Sequence, residues 1–513
     1  MNYSMIRYIL SSVLGFEGLF LLLPAMVGGI YGEKEGWIYF AVAAGSLLLG
    51  MLGRIKKPES SVFYSREGFM AVSLSWIILS LVGAVPLRMT GEFPSYIDAL
   101  FETISGFTTT GASVLSSVEE LARCTAFWRC FTHWIGGMGV LVFIMAILPL
   151  SGSSSLHLMR AESPGPSVGK LVPKIKSTAM ILYGIYIIIT FCEMIALKIA
   201  GMSLFESMTL AFSTAGTGGF GLVNSSIASY SLAVQIIITV FMLLCAINFN
   251  VYYLFLIRRP KEAFLNEEVR SFLLIVFVSA ALIAVNIRAD YSSIFMAFHE
   301  ALFQVASIIS TTGFATADFN LWPEFSKMIL VTLMFVGACA GSTGGGFKVS
   351  RLMIIFRSVK NEILSVTHPR SVQKVHMDGR RVPDNVVKTA LCYLATYILI
   401  LMASVLVLSI DGYDMTTNVT AVMATFNNIG PGLNMVGPTG NFGDFSILSK
   451  IVLMFDMLVG RLELFPMLVL FAPGMWRIPA RKAKKKEIWN EFIRKESAGL
   501  HFPKEFIIIT NYK

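Results

Sequence analysis

Ten apolar stretches divide the chain, and most charged residues lie between them rather than within them. The stretches cover residues 8–30, 37–53, 69–91, 126–150, 178–200, 231–257, 271–287, 325–357, 386–410 and 445–475. Each is long enough to cross the hydrocarbon core of a bilayer, which takes about 20 apolar residues in a helix. The pattern therefore predicts an all-α integral membrane protein with about ten spans.

Four short turns rich in Gly and Thr interrupt this pattern, each between two apolar stretches. They are Thr108–Gly111, Thr217–Phe220, Ser310–Phe314 and Asn427–Gly430. Each follows an amphipathic helix of about ten residues, which is too short to span a bilayer and can enter it only when protein surrounds it. Glycine near a pore axis lets backbone carbonyls point inward and replace the water shell of a cation. The turns thus predict a cation pore.

The turns belong to a fourfold internal repeat that becomes visible when Gly111, Gly219, Gly313 and Gly430 are aligned. Thirteen residues upstream lie Asp98, Glu206, Glu300 and Thr417, and six upstream lie Ser105, Ser213, Ser307 and Ala424. Each unit is an outer helix, a short pore helix, a turn and an inner helix. We expect the three acids to cap the pore helices, with direct cation binding as the alternative.

The repeat divides the chain into six predicted parts. An N-terminal transmembrane helix pair covers 1–60, and repeats 1 to 4 cover 61–160, 161–262, 263–375 and 376–480, before a basic tail at 481–513. The third repeat contains a Gly-rich intramembrane loop whose equivalent we expect the other three repeats to lack.

Composition and charge place this chain in a membrane with a defined orientation. It is 55% hydrophobic and 14% charged, with a mean hydropathy of +0.69, which excludes an ordinary soluble domain. Five loops (54–67, 160–176, 257–270, 351–388 and 477–495) hold 28 of the 41 Lys and Arg residues and fall on one side of the predicted spans. The positive-inside rule makes that side and the N-terminus cytoplasmic, so the net charge of +9 does not indicate nucleic acid.

The Gly-rich segment Gly337–Lys348 breaks the inner span of the third repeat. It is not a phosphate-binding P-loop, because Phe347 stands between Gly346 and Lys348. One interpretation is a close helix-packing patch. The other is a flexible loop below the turns that obstructs the pore, with a gating role for Gly341, Gly344, Gly345, Gly346 and Lys348.

Arg461 lies in the middle of the last predicted span, where an unpaired charge costs several kcal/mol. It either forms an ion pair with Asp456 or Glu463, or faces the pore and raises a barrier to cations. Both roles are compatible.

The motifs Thr-Thr-Thr-Gly-Ala, Thr-Thr-Gly-Phe and Asn-Asn-Ile-Gly-Pro-Gly-Leu, in repeats 1, 3 and 4, resemble those of the Trk/Ktr/HKT superfamily of potassium transporters. The extra N-terminal helix pair and the Gly-rich stretch resemble its bacterial TrkH-type pore-forming subunits. The resemblance covers roughly residues 1–475 and implies four pseudo-repeats around one pore.

The resemblance implies a potassium filter lined by backbone carbonyls, an intramembrane gating loop at 337–347 and a pore-facing arginine at Arg461. Glycine in all four repeats goes with potassium preference in this family, and serine in the first with sodium. Gly430 and Gly432 both remain candidates for the fourth glycine. The implied filter residues are Thr109, Thr110, Gly111, Thr217, Gly218, Gly219, Thr311, Thr312, Gly313, Asn428, Ile429 and Gly430.

The family also implies a homodimer in the bacterial plasma membrane and a cytoplasmic ring of nucleotide-binding regulatory subunits. No cofactor is expected on this chain, since the nucleotide belongs to the partner. The basic loops 351–388 and 477–495 are candidate docking surfaces, or else contact anionic lipids. We expect gated potassium uptake; the alternative is a sodium-permeable or poorly selective pore. An enzyme is disfavoured because no catalytic motif is present, and four turns have no role in a receptor or scaffold.

Overall fold

The computed structural model of the protein describes residues 2–58, 65–139, 175–368 and 373–472. Over these ranges the chain is helical apart from one small hairpin, in which strand β1 (His376–Met377) pairs antiparallel with β2 (Arg380–Arg381). The predicted all-α architecture is confirmed. The predicted tail 481–513 and most of the basic loop 160–176 lie outside the described residues.

The chain begins with a helix pair and continues with four units of outer, pore and inner helix, as predicted. The pair is α1 (Tyr3–Tyr31) and α2 (Glu35–Arg54). The outer helices are α3 (Ser65–Met89), α6 (Ile175–Ile199), α11 (Glu267–Asn286) and α15 (Asp384–Leu408). The pore helices are α4 (Tyr96–Phe107), α7 (Leu204–Ala215), α12 (Ile294–Ile309) and α16 (Met415–Phe426).

The inner helices of repeats 2, 3 and 4 are shorter than the predicted spans, and the first is described only in part. They are α5 (Arg123–Gly137), α8 (Leu232–Ala246), α13 (Glu324–Val336) and α17 (Ile447–Leu462). Within the described residues, further helical segments follow the last three: α9 (Phe249–Leu256) with α10 (Pro260–Phe264), α14 (Val349–Thr367) and α18 (Leu464–Val469). Six of the ten predicted spans are single helices long and apolar enough to cross a membrane in the described part of the chain.

The prediction of continuous inner spans was wrong in repeats 2 and 4, whereas the predicted break in the third repeat does occur. Helices α8 and α9 meet at an 89° bend, the third span breaks at Gly337, and the fourth breaks at Glu463, where φ is +68°. The long Gly-rich insertion occurs in the third repeat, and the spans of repeats 2 and 4 are interrupted as well, by shorter breaks. The breaks at Asn248 and Glu463 carry no glycine signal, because Asn248 caps α9 through its own side chain and Glu463 adopts a left-handed conformation. The predicted span 126–150 is described only to residue 139.

The pore helices begin with side-chain caps, but the acids contribute in different ways. Glu206 forms a capping box with Ser203, as expected. Asp98 accepts a hydrogen bond from the hydroxyl of Ser95 at the start of α4 and also forms an ion pair with Lys450 at 2.7 Å. The expectation for Glu300 was wrong, because Ser293 caps α12 a full turn earlier and Glu300 instead accepts a hydrogen bond from Thr316 beyond the turn.

The fourth pore helix, α16, has its acid at the cap position rather than in the first turn. Asp414 accepts a hydrogen bond from the amide of Thr417 at 3.0 Å and another from its hydroxyl. The hydroxyl bond in particular holds the pKa of Asp414 below its ordinary value, so this carboxylate is charged at neutral pH. A negative charge at this end of a helix stabilises it.

The inner helix α5 has no cap of its own and takes one from the N-terminal helix pair. Its cap residue is Ala122, which offers no side-chain acceptor. Glu33, in the loop between α1 and α2, accepts hydrogen bonds from the amides of Arg123 at 2.8 Å and Cys124 at 2.9 Å. The helix pair is therefore joined to the first repeat by a charge-assisted cap.

Replacing Glu33 with alanine should destabilise the protein by about 1–2 kcal/mol, because two helix amides lose a charged acceptor. We expect a lower thermal unfolding temperature in detergent. The control is Lys34→Ala, which alters an exposed neighbour in the same loop. Equal unfolding temperatures for the two variants would show that the cap contributes no stability.

Candidate functional site

Each pore helix ends in the same hydrogen-bonded turn. In every repeat the amide of the residue before the aligned glycine donates to the carbonyl five residues upstream. The pairs are Thr110 to Ser105 (2.8 Å), Gly218 to Ser213 (2.8 Å), Thr312 to Ser307 (2.9 Å) and Ile429 to Ala424 (2.8 Å). The residue before each of these donors also donates its amide to the carbonyl three residues upstream, as Thr109 does to Gly106. The two bonds form a Schellman motif, which satisfies carbonyls left open at a helix C-terminus. The fourfold sequence repeat is thus a repeat of one backbone conformation.

Left-handed backbone occurs twice in each turn, at the aligned glycine and two residues before it. The glycines have φ of 77°, 80°, 88° and 95° in chain order, and the earlier residues, Thr109, Thr217, Thr311 and Asn428, have φ of 56°, 55°, 61° and 55°. Positive φ is unfavourable for a β-branched residue such as threonine, and such strain concentrates at functional sites. Sequence patterns locate the glycines but give no sign that these threonines are left-handed.

The four turns form a closed ring. A Cβ atom placed on Gly111 would lie 2.0 Å from the carbonyl oxygen of Gly218 in the next repeat. The same relation holds between Gly219 and Thr312 (2.1 Å), Gly313 and Ile429 (2.0 Å), and Gly430 and Thr110 (2.7 Å). Because the last contact closes the circle, Gly430 is the fourth member of the ring. Gly432 lies against Val436 and Thr420 instead.

The residues before the glycines differ between repeats because their side chains face different neighbours. Thr110 and Thr312 each share a hydrogen bond with the hydroxyl two residues earlier, at 2.8 and 2.7 Å. Ile429 is fully buried among apolar side chains. At Gly218 a Cβ atom would lie 2.2 Å from the imidazole ring of His133. Only the backbone at this position needs to be alike in all four repeats.

His133, on α5, joins the first two repeats and was not singled out from the sequence. Its Nε2 accepts a hydrogen bond from the amide of Phe220 at 3.3 Å, so its Nδ1 carries the proton and donates to the carbonyl of Gly106 at 2.8 Å. The ring is fully buried. This neutral imidazole fixes the first pore helix to the second turn.

Arg129, one helical turn earlier on α5, is the second residue that sequence reasoning missed. It forms a buried ion pair with Glu102 of α4 at 2.7 Å, and its guanidinium carbon lies 4.2 Å from the ring centre of Phe220. Glu102 also accepts from Ser113 and from the amide of Val114 beyond the first turn. A buried Arg and His at i and i+4 of an apolar span is the signal that could have identified them.

The loops above the ring are tied together between all neighbouring repeats. The connecting bonds are Val118 to Asn224 (3.0 Å), Ile227 to Ala315 (3.0 Å), Asn434 to Asn320 (2.9 Å) and Phe442 to Ser113 (2.8 Å). Each bond joins loops that follow adjacent turns. These loops therefore form a hydrogen-bonded ring of their own.

The Gly-rich segment lies directly below the turns of repeats 3 and 4. The amide of Gly345 donates to the hydroxyl of Thr311 at 2.6 Å, and a Cβ atom on Gly345 would lie 2.6 Å from the carbonyl oxygen of Asn427. Gly344 approaches the carbonyl of Ser310 in the same way. Glycine is required here because any side chain would collide with the ends of two pore helices.

The other predicted loop residues shape the loop itself. Gly341 and Gly346 have φ of 71° and 79°. The carbonyl of Gly341 accepts from the amide of Phe249 at 3.0 Å, which links the loop to the bend in the second inner span. Buried Lys348 donates from Nζ to the carbonyl of Gly344 and so folds the loop back on itself.

Arg461 reaches from α17 across to the repeats on both sides. Its Nη1 donates to the carbonyl of Thr343 in the loop at 2.7 Å, and its Nη2 donates to the carbonyls of Gly136 and Gly137 at the end of α5, at 2.5 and 2.6 Å. Of the acids considered as partners, Asp456 accepts from Ser404 at 2.9 Å and Glu463 pairs with Arg351. The guanidinium thus joins three parts of the structure just below the ring.

This arrangement suits a dehydrated monovalent cation. The ring presents carbonyl oxygens, which can replace a hydration shell without adding full negative charges. The C-terminal ends of four pore helices point toward it and add partial negative charge. The loop and Arg461 lie next to it, and a positive charge at such a place would oppose the passage of cations.

Similarity to known proteins extends over nearly the whole chain. Residues 38–478 match the family model for TrkH, a cation transport protein. The chain is 36% identical to the Trk system potassium uptake protein TrkH of Escherichia coli K12, over 91% of this chain and 97% of that protein. It is 36% identical to TrkH of Vibrio parahaemolyticus, over 93% and 100%.

A solved structure agrees as well. The crystal structure of the potassium transporter TrkH from Vibrio parahaemolyticus superimposes with a TM-score of 0.84 at 33% identity, and the match covers 93% of this chain and all of that one. The resemblance seen in the sequence motifs is confirmed, and the chain belongs to the TrkH family of cation transport proteins.

Proposed function

We propose that this protein is the pore-forming membrane subunit of a Trk-type system and takes up potassium through a gated, selective filter. The closed ring of four glycine–carbonyl contacts carries this proposal, because it brings four distant segments of one chain together at a single site. The printed function of the relatives, potassium uptake, supports it. We assign transport, not catalysis, to the chain.

Potassium binds, in this proposal, to carbonyl oxygens of the twelve filter residues 109–111, 217–219, 311–313 and 428–430. Glycine at all four ring positions favours potassium over sodium, because the neighbouring carbonyls keep their spacing only when no side chain intrudes. A sodium-permeable or poorly selective pore is the alternative function. Ion competition distinguishes the two.

The Gly-rich loop and Arg461 form the gate in this proposal. The hydrogen bond from Gly345 to Thr311 holds the loop against the filter, and the bonds of Arg461 to Thr343, Gly136 and Gly137 hold it in place from below. Opening requires these contacts to be exchanged for others. The family's loop–arginine gate thus corresponds here to Gly341, Gly344, Gly345, Gly346, Lys348 and Arg461.

We further propose that the basic face is cytoplasmic, in a bacterial plasma membrane, with the N-terminus on that side. A homodimer and a ring of nucleotide-binding regulatory subunits complete the system, and this chain itself holds no nucleotide. Exposed basic residues of segment 373–388 are available for such a partner or for anionic lipid, and no nucleic acid is involved.

Complementation tests the proposed function. Cells that lack potassium uptake should grow at low external potassium when they express this protein with its regulatory subunit. The control is the same strain with the regulatory subunit alone. Absence of rescue, with the protein demonstrated in the membrane, would overturn the proposal.

Gly111→Ser should reduce the preference for potassium over sodium by about tenfold or more, because the side chain displaces the carbonyl of Gly218 as well as straining a backbone with φ of 77°. The measurement is competition between the two ions in liposome flux. Gly412→Ser is the matched control, since Gly412 has φ of 79° but open space around it. Similar selectivity in both variants would contradict the filter assignment.

Arg461→Ala, or deletion of 341–346, should increase passive potassium flux, because each removes contacts that hold the barrier below the filter. The measurement is rubidium flux into liposomes without the regulatory subunit. Arg259→Ala, which removes an exposed arginine paired with Glu262, serves as the control. Reduced flux at normal expression would contradict a barrier at this place.

A further inference from the structure

The Gly-rich loop has a narrow neck where it leaves and rejoins the inner span. The amide of Lys348 donates to the carbonyl of Val336 at 3.1 Å, and the amide of Val349 donates to that of Ala338 at 3.2 Å. The two limbs of the loop therefore run side by side at its base. A group that holds both limbs there controls whether the loop can move.

Glu268, in the first turn of outer helix α11, is such a group. It is 3% exposed, and its Oε1 accepts hydrogen bonds from the amide of Ala340 at 2.7 Å and the amide of Ser350 at 3.1 Å. Ala340 is on the limb that enters the loop, and Ser350 is on the limb that leaves it. One carboxylate oxygen thus connects the two.

The same contact supplies a missing helix cap. Helix α14 begins after Lys348, whose φ is +85° and whose side chain makes no cap hydrogen bond. The amide of Val349 already donates to the carbonyl of Ala338, and Glu268 supplies the acceptor for the next amide, that of Ser350. A carboxylate is the favoured partner at this end of a helix. The start of α14 is therefore stable in its present place as long as Glu268 is beneath it.

The residue just before Glu268 is attached to the small hairpin on the basic face. Asp378, at the tip of the hairpin, accepts a hydrogen bond from the amide of Glu267 at 2.8 Å. Arg357 of α14 pairs with the carboxylate of Glu267 at 2.6 Å and donates to the carbonyl of His376. Hairpin, first turn of α11 and loop neck are consecutive links of one hydrogen-bonded chain.

A cavity of about 890 Å³ separates the hairpin from the loop neck. Glu268, Ala340 and Ser350 line it on one side, and the hairpin segment 377–383 lines it on the other. The hairpin is consequently not packed tightly behind the neck. It can be displaced without rearranging a close-packed core.

We propose that Glu268 is the positioning residue that holds the loop closed, and that the hairpin of residues 376–381 is the lever through which a partner on the basic face acts on it. Movement of the hairpin pulls on Glu267, withdraws the carboxylate of Glu268 from the two amides and frees the neck. This inference rests on the proposed gating function and adds the route by which the gate is reached.

Glu268→Ala tests the positioning role. Without the regulatory subunit, its passive rubidium flux in liposomes should exceed that of the unaltered protein by about tenfold, because two hydrogen bonds to a charged acceptor are lost from the closed state alone. Glu268→Gln should give an intermediate flux, since its amide oxygen can still accept both bonds. Glu262→Ala, which removes an exposed acid from the wall of the same cavity, should leave the flux unchanged.

Selectivity separates positioning from general damage to the fold. If Glu268 only positions the loop, potassium-over-sodium preference stays the same while the flux increases. A loss of potassium-over-sodium preference that accompanies the change in flux would overturn the proposal. So would a flux equal to that of Glu262→Ala. If Glu268→Ala fails to fold, the flux of Glu268→Gln and the stimulation of the hairpin variant Asp378→Ala test the proposal instead.

Asp378→Ala tests the lever, with Glu262→Ala as its control, since Glu262 lines the same cavity but lies outside the hairpin. Removing Asp378 breaks the direct bond between the hairpin and the backbone of Glu267 and leaves only the connection through Arg357. Stimulation by the regulatory subunit should therefore fall several-fold while binding of the subunit persists. Equal stimulation in the two variants would contradict the lever. A failure of the lever is distinct from a failure of the proposed function. If Arg461→Ala conducts no potassium, the gated pore itself is wrong, whatever the hairpin variant shows.

Discussion

The close approach of four helix ends is the constraint on which the rest of the structure depends. At Gly111 and its counterparts, a carbonyl of the adjacent repeat lies where the Cβ atom of any other residue would be, so the ring tolerates only glycine there. The inner helices must also come close to the pore helices, and Gly136 and Gly460 allow this by lying against the carbonyls of Phe107 and Phe426. Small residues at such contacts let backbones approach in a membrane protein.

Buried ion pairs hold the separate parts of the ring at these distances. Glu102 with Arg129, and Asp98 with Lys450, each connect the first pore helix to an inner helix, one of its own repeat and one of the fourth. Desolvation makes such pairs poor sources of net stability, whereas removing one partner leaves a buried charge behind and is costly. Their value here is that they specify which helices are neighbours.

Much of this architecture follows from sequence patterns, because apolar length, charge bias and a repeated glycine turn each have a single strong physical cause. The left-handed backbone conformation of Thr109 has no such cause in the sequence. Threonine rarely adopts it, and only the surrounding Schellman hydrogen bonds impose it. The bends at Asn248 and Glu463 need no glycine, and the neighbour that dictates Gly218 is His133 from another repeat. Assigning Gly430 rather than Gly432 likewise needed the closed ring. These features depend on contacts between distant segments, which spacing along the chain cannot show.

Arg461 occupies one quadrant only, and this has a consequence for how such a pore could arise. In an assembly of four identical subunits, an arginine at this position would occur four times around the axis, and the four guanidinium groups would repel one another at close range. A single polypeptide that carries all four quadrants escapes that penalty. It can give one quadrant a charge, another an imidazole and a third an extended loop. Covalent linkage thereby turns a symmetric conduit into one whose parts can diverge independently.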